Sequence, residues 1–474
     1  MPLTRSLVTL LLAVGAATPA CGAAESVPVS DGDATMPAPS DRQPTLPTGP
    51  EVDAGDAGPR DASAEAGPRP IPRFKALGER CKLINGKHLD DPTANDTHFR
   101  ANLRGTDLGI PVAHDGSLYV FFGDTAGVKG IWPFGPESLP DAVGVISHAA
   151  VKATPSALCT DLRFLVGSAA ASVGRAADPR IERDFAAASM TPPPGHSIAE
   201  YIHNPAGPRG GNAFPHLPGD FEVPSGAFSY GGSIYVFYTT VESPTVVEMK
   251  GSYLARWTSP SAAGPPAYQI LYGVDQRFDA NGALRGDFIN IASVVAGDYV
   301  YLFGSGKYRA STVHLARKKL ATLATAGGFE RFDAATKTWR AANDASAKPI
   351  VTAPAVGELS VQHFPTLGRW AMTTQEVSSG NNRIVVRFAE KPEGPWSPAQ
   401  AMGSLSDPAF RSKYCCLGDE CAGERLFHCD RAGFYAPYLL PDAALRADGS
   451  FTLDFVMSTW NPYNVALMSA SFDP

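Results

Sequence analysis

The residues best able to do chemistry in this chain are carboxylates that stand just ahead of short aromatic strands. Gly105-Thr106-Asp107-Leu108-Gly109 runs on to Asp115-Gly116, a strong two-residue hairpin signal, and the returning strand ends in Gly123-Asp124-Thr125. With His114 opposite Ser117, the register sets Asp107 opposite Asp124. Directly opposed β carbons lie about 4.5–5.5 Å apart, and like charges there are destabilising. Such a pair is tolerable where one acid holds a proton, a cation lies nearby or the hairpin splays. A close acidic pair is an ingredient of glycoside hydrolysis. The plainer role for both residues is to cap backbone N–H groups at a strand end.

A second acidic set lies further along. Gly357-Glu358 opens a stretch that returns through Pro365–Gly368 to Glu376, and a three-residue loop would put Glu358 opposite Glu376. Glu222, and Asp287 with Asn290, stand at comparable distances before their own turns. Near the C-terminus, Tyr435, Trp460 and Tyr463 offer rings on which the CH faces of a sugar can stack, beside Asn side chains for its hydroxyls; core packing is the alternative use of these rings. Asp107, Asp124 and Glu358 are therefore the catalytic candidates. Glu222, Asp287, Asn290, Tyr435, Trp460 and Tyr463 are the substrate-binding ones. In this reading Asp107 is base or nucleophile, Glu358 is acid and Asp124 tunes Asp107.

The elements that must position these residues repeat one pattern. Segments starting at Gly116, Gly232, Gly297, Gly368 and Gly449 each follow a turn residue with alternating aromatic and aliphatic residues, and each is preceded by an apolar stretch of hairpin length. Recurrent antiparallel units predict an all-β fold, a five-bladed β-propeller over residues 73–474. Its axis would gather the start of every innermost strand into one polar pocket. Blades one and four are not neighbours, so their acids can face each other across it; about 6.5–9.5 Å between them implies inversion and about 5–5.5 Å retention. The long interval before the second blade, rich in Pro and Gly, holds His203, Arg209 and His216, which either reach a ligand or lie on the surface. Trp339 and Trp396 are expected to pack between blades.

The ends and the composition set the context. Arg5, the apolar run Leu7–Ala17 and the Ala20-Cys21 junction form an export signal over residues 1–21, with Cys21 either lipidated or passed by in ordinary secretion. Residues 22–72, rich in Ala, Pro, Gly, Ser and Asp, read as a disordered tether with a mean reach of about 40 Å. Cysteines 81, 159, 415, 416, 421 and 429 make an even set suited to three disulfides, although the last four with His428 could hold zinc instead. Net charge of −7 argues against a nucleic-acid surface. The chain has no phosphate-loop motif and no Asp-rich calcium loop, so no cofactor and no metal ligand is assigned. A polysaccharide is the expected partner, membrane contact is confined to the lipid anchor, and a monomer is expected.

Gly-Thr-Asp107-Leu-Gly, Phe-Gly-Asp124-Thr, Gly-Pro-Trp396 and Ser-Thr-Trp460-Asn-Pro-Tyr463-Asn-Val-Ala-Leu-Met468 resemble domain-of-unknown-function family 4185, over most of residues 78–472. Some members of that family are endo-D-arabinanases. The resemblance implies a glycosidase active on furanosyl polymers and carries over to Asp107 and Asp124, whereas Glu358 rests on the register alone. A carbohydrate-binding propeller without catalysis, or a structural lipoprotein of the cell envelope, remains open at this stage.

Overall fold

The computed structural model describes residues 69–84, 97, 103–127, 141–165, 217, 221–242, 248–261, 268–277, 284–378, 381–418, 421, 423–430 and 433–474. The expected signal segment, Cys21, the tether up to residue 68, and His203, Arg209 and His216 lie outside them.

Turn chemistry sets the repeating unit. Asp115 and Gly116 take φ of 43° and 76°, and Gly231 and Gly232 take 56° and 71°. A left-handed pair of this kind matches the twist of the strands it joins. After β1 (Arg73–Lys82), the first set comprises β2 (Leu103–Gly105), β3 (Leu108–His114), β4 (Ser117–Asp124), β5 (Ala126–Gly127), β6 (Asp141–Ser147) and β7 (Arg163–Phe164), with sheet order β3-β4-β6-β7 and a short β2-β5 ladder. The second is β8 (Phe221–Tyr230), β9 (Ser233–Glu242), β10 (Glu248–Thr258) and β11 (Tyr268–Gln276). The third holds β12 (Asn290–Ala296), β13 (Tyr299–Ser305), β14 (Ser311–Lys319), β15 (Phe329–Asp333) and β16 (Thr338–Ala341). The fourth holds β17 (Val351–Phe364), β18 (Arg369–Ser378), β19 (Asn381–Ala389) and β20 (Gln400–Ser404). Last come β21 (Phe434–Leu445), β22 (Phe451–Thr459) and β23 (Asn464–Asp473), and β1 pairs with β23 to complete their sheet.

The ladders are antiparallel within every set, and Ser311–Val356 and Val313–Val351 link the third to the fourth. The first strands pack in a ring: β3 on β8, β8 on β12, β12 on β17, β17 on β21, and β21 back on β3. Four apolar clusters fill the spaces between the sets. Phe121, Phe237 and Phe303, all on second strands, are fully buried there, and each such ring stabilises the fold by roughly 1.5–3 kcal/mol. Trp396 meets Phe303 edge-on at 5.9 Å and Trp339 meets Tyr301 at 6.1 Å, so both tryptophans pack in the core as expected. The architecture is mostly β and propeller-like.

All six expected cysteines are in disulfides. Cys81–Cys159 ties β1 to the first set, while Cys415–Cys429 and Cys416–Cys421 close the loop ahead of β21. His428 lies beside the latter, its Nε2 3.8 Å from Cys421 Sγ, but all four sulfurs that could have joined it around zinc are taken up in these two disulfides. At the other end, Arg69 donates from Nη1 to Leu367 O and from Nη2 to Gly368 O, and Gln400 donates to Pro72 O at 2.8 Å. Contacts with the propeller-like body thus begin a few residues before 73.

Candidate active site

Every first strand contributes to the wall of one cavity of about 500 Å3, through Leu108, Pro224, Asn290, Glu358 and Tyr435. Asp107, immediately before β3, and Asp124, at the end of β4, both line it. Their register differs from the expected one. Leu108 (φ 61°) and Gly109 (φ 110°) form a bulge that moves the pairing from Ile110–Phe121 to Leu108–Phe122. Asp107 consequently faces Gly123, whose N–H donates to Asp107 O at 3.0 Å, rather than Asp124. The Asp107 side chain lies over Gly123, where any β carbon would collide with its Oδ1.

Tyr435 Oη donates to Asp107 Oδ2 at 2.9 Å, and the buried Oδ1 has no hydrogen-bond partner among the described residues. Burial pushes Asp107 up to about 7; Glu358 adds to the rise, while the Tyr435 and Tyr463 hydroxyls and Arg309 oppose it. Asp124 is raised well above the ordinary carboxylate range by burial first, then by Asp107 and Glu222. Tyr463 Oη donates to the backbone oxygen of Asp124 at 2.8 Å.

Glu358 is held differently. Arg309 Nε donates to its two oxygens at 3.2 and 3.3 Å and Nη2 donates to Oε1 at 2.9 Å. The expected opposition of Glu358 and Glu376 does not occur. Phe364 pairs with Arg369, so the turn has four residues, and a bulge between Val356 and Leu359 sets Val356 opposite Glu376. Glu376 instead binds Arg383 at 2.6 Å and Arg387, and it does not line the cavity.

Among the substrate-binding candidates, Asn290, Tyr435, Trp460 and Tyr463 line the cavity and Glu222 and Asp287 do not. Glu222 is buried and acts on Asp124 through its charge. Asp287 is drawn to Arg331, 2.6 Å from its Oδ2, with His314 3.7 Å from Oδ1, because the loop before β12 passes the inward-facing guanidinium of β15. Trp460 is 37% exposed and meets Tyr463 edge-on at 5.5 Å. Sequence reasoning missed Tyr308, Arg309, Gln375 and Asn382, all of which line the cavity. A signal existed for the first two: Tyr308-Arg309 follows closely on Ser305, which pairs with Asn290.

The site can hold a proton on one side and a fixed carboxylate on the other, with aromatic rings between them and solvent. Among solved structures, the chain resembles a Bacteroides ovatus protein provisionally described as a hydrolase, at 14% identity over 79% of this chain and 87% of that one, with a TM-score of 0.49. It also resembles an α-L-arabinofuranosidase of Podospora anserina, solved with cellotriose, at 11% identity over 85% and 98% of the two chains and a TM-score of 0.41. A family 117 glycoside hydrolase produced by the marine bacterium Zobellia galactanivorans matches at 13% identity over 84% and 90%, with a TM-score of 0.39. No curated protein matches the chain. The profile of the domain of unknown function DUF4185 does match, over residues 176–469, which hold Arg309, Glu358, Tyr435 and Trp460 but start after Asp107 and Asp124. With well over half its length inside that profile, the chain belongs to the DUF4185 family.

Proposed function

We propose that this chain is an exported glycoside hydrolase on a five-bladed β-propeller, with the axial cavity as its active site. What carries the reading is one cavity in which Asp107, with no ion pair among the described residues, is pushed up to about 7 while Glu358 is fixed by Arg309. Hydrolysis of a glycosidic bond needs this combination, a proton for the departing oxygen and a carboxylate for the attack. In our assignment Asp107 gives its proton to the leaving oxygen as the C–O bond breaks. Glu358 takes a proton from the water that bonds to the anomeric carbon, or attacks that carbon itself. These roles reverse the sequence-based ones, because burial without an ion pair falls on Asp107 and the guanidinium grips Glu358. Asp124, buried beside Asp107, is itself pushed toward the protonated form by burial and by the charges of Asp107 and Glu222, so it adds no second negative charge to the cavity. Asn290, Trp460 and Tyr463 would bind sugar.

A furanosyl polymer such as D-arabinan is the substrate suggested by the family resemblance. Three disulfides accord with an oxidising compartment outside the cytoplasm, reached through the N-terminal signal and retained by lipid at Cys21 or released; a monomer suffices for the cavity. The test is incubation of the full chain with D-arabinan and other furanosyl and pyranosyl polysaccharides, with products read by mass spectrometry. Oligosaccharides should appear and fall on the order of 10²–10⁴-fold in Asp107→Asn. Activity should decline as pH rises through about 7, since the acid loses its proton there. The exposed Trp460 favours a second reading, binding without catalysis: glycan retained by the chain, no product, and no effect of Asp107→Asn would establish it.

A further inference from the structure

Arg309 stands where the two sides of the cavity meet. Its φ of 47° is a left-handed conformation that costs a non-glycine residue about 1–2 kcal/mol, so its surroundings must hold it there. The stem passes Gly357, where a β carbon would come within 3.2 Å of Arg309 Cγ. The guanidinium lies 4.7 Å from the Tyr308 ring centre and 4.6 Å from that of Tyr435 while its fork grips Glu358. The hydroxyl of the same Tyr435 donates to Asp107. Contacts therefore run without a break from Glu358 through Arg309 and Tyr435 to Asp107, using β17, the loop after β13, β21 and the segment before β3.

We propose that Arg309 is the positioning residue of this site: it holds the Glu358 carboxylate in place and, through the Tyr435 ring, ties it to Asp107, so that the two acids respond as one unit. The catalytic meaning rests on the hydrolase reading, but the tie itself is measurable without substrate. The ionisable groups acting on Asp107 are Glu358, Arg309, Tyr435 and Tyr463, Asp107 in turn acts on Asp124, and the charge of Glu358 reaches Arg309, Tyr308, Tyr438 and Asp107.

Arg309→Gly suits the left-handed backbone and removes only the side chain. Carbon-13 NMR of the Asp107 and Glu358 carboxyls in the full chain, without glycan, follows both titrations. Loss of the cation should raise the Asp107 midpoint by on the order of one pH unit, and guanidinium ion added to the solution should bring it back. Tyr435→Phe keeps the stacking ring and loses the hydroxyl, and it should raise the Asp107 midpoint. An Asp107 midpoint unchanged in both variants overturns the proposal, as does a shift that guanidinium ion cannot reverse. Should Arg309→Gly not fold, Arg309→Asn, which also tolerates a left-handed backbone and removes the cation, is titrated in its place. If the midpoints move as stated while the parent chain releases no product from any polymer, the tie stands and the hydrolase reading falls.

Discussion

The β3–β4 and β17–β18 hairpins are built alike, and both carry two acids toward one end, yet they treat those acids in opposite ways. On the first hairpin Asp124 is buried and Asp107 half-buried, neither has an ion pair among the described residues, and both are pushed toward the protonated form. On the second, Glu358 has Arg309 and Glu376 has Arg383 and Arg387. A bulge near the cavity decides the outcome in each case. At Leu108-Gly109 it folds Asp107 over Gly123 and into the cavity; between Val356 and Leu359 it leaves Glu358 in the cavity and Glu376 outside it. An acid's role is thus fixed by one residue of slippage and by which guanidinium can reach it, on a hairpin frame that is otherwise interchangeable.

The contrast can be broken at its most strongly paired member. Glu376→Gln leaves the buried Arg387 without its carboxylate and should cost about 3–5 kcal/mol in urea-induced unfolding, with glycan affinity unchanged. The unpaired side should behave in the reverse manner. Asp107 titrates near 7 in the folded chain, against 3.8 for a freely solvated aspartate such as the unfolded chain presents, so its contribution is full below about pH 4 and is lost as pH rises through 7. Asp107→Asn should accordingly gain on the parent between pH 4 and pH 8, by up to a few kcal/mol, while losing activity. A constant difference across that range would show that Asp107 is not held near 7. The smallest effect belongs to the rim. Trp460→Ala should leave stability within about 0.5 kcal/mol and weaken glycan binding by roughly 1 kcal/mol, about five-fold, in calorimetric titration.

Much of the frame was legible because turns and alternation are local. Asp115-Gly116 and Gly231-Gly232 announce their hairpins, and the buried aromatic strands after them follow from period-two patterning. The site was legible only in part. Asp107, Asp124, Glu358, Asn290, Tyr435, Trp460 and Tyr463 do converge on one cavity, but the opposition of Asp107 and Asp124 was off by one residue because nothing local separates a bulge at Gly109 from a straight strand. Asp287 and Asn290 looked equivalent by distance from their turn. Arg331, on a strand more than forty residues away, takes the first, and the cavity keeps the second. Arg309 escaped notice for the same reason, since its partner Glu358 is joined to it by folding alone.

The clasp at Arg69 has a directional consequence. This residue is fastened at Gly368, in the turn after β17, roughly 20 Å from Glu358 along the strand. Releasing the clasp would therefore act first on the seam where β1 shuts the ring, and only later on the cavity.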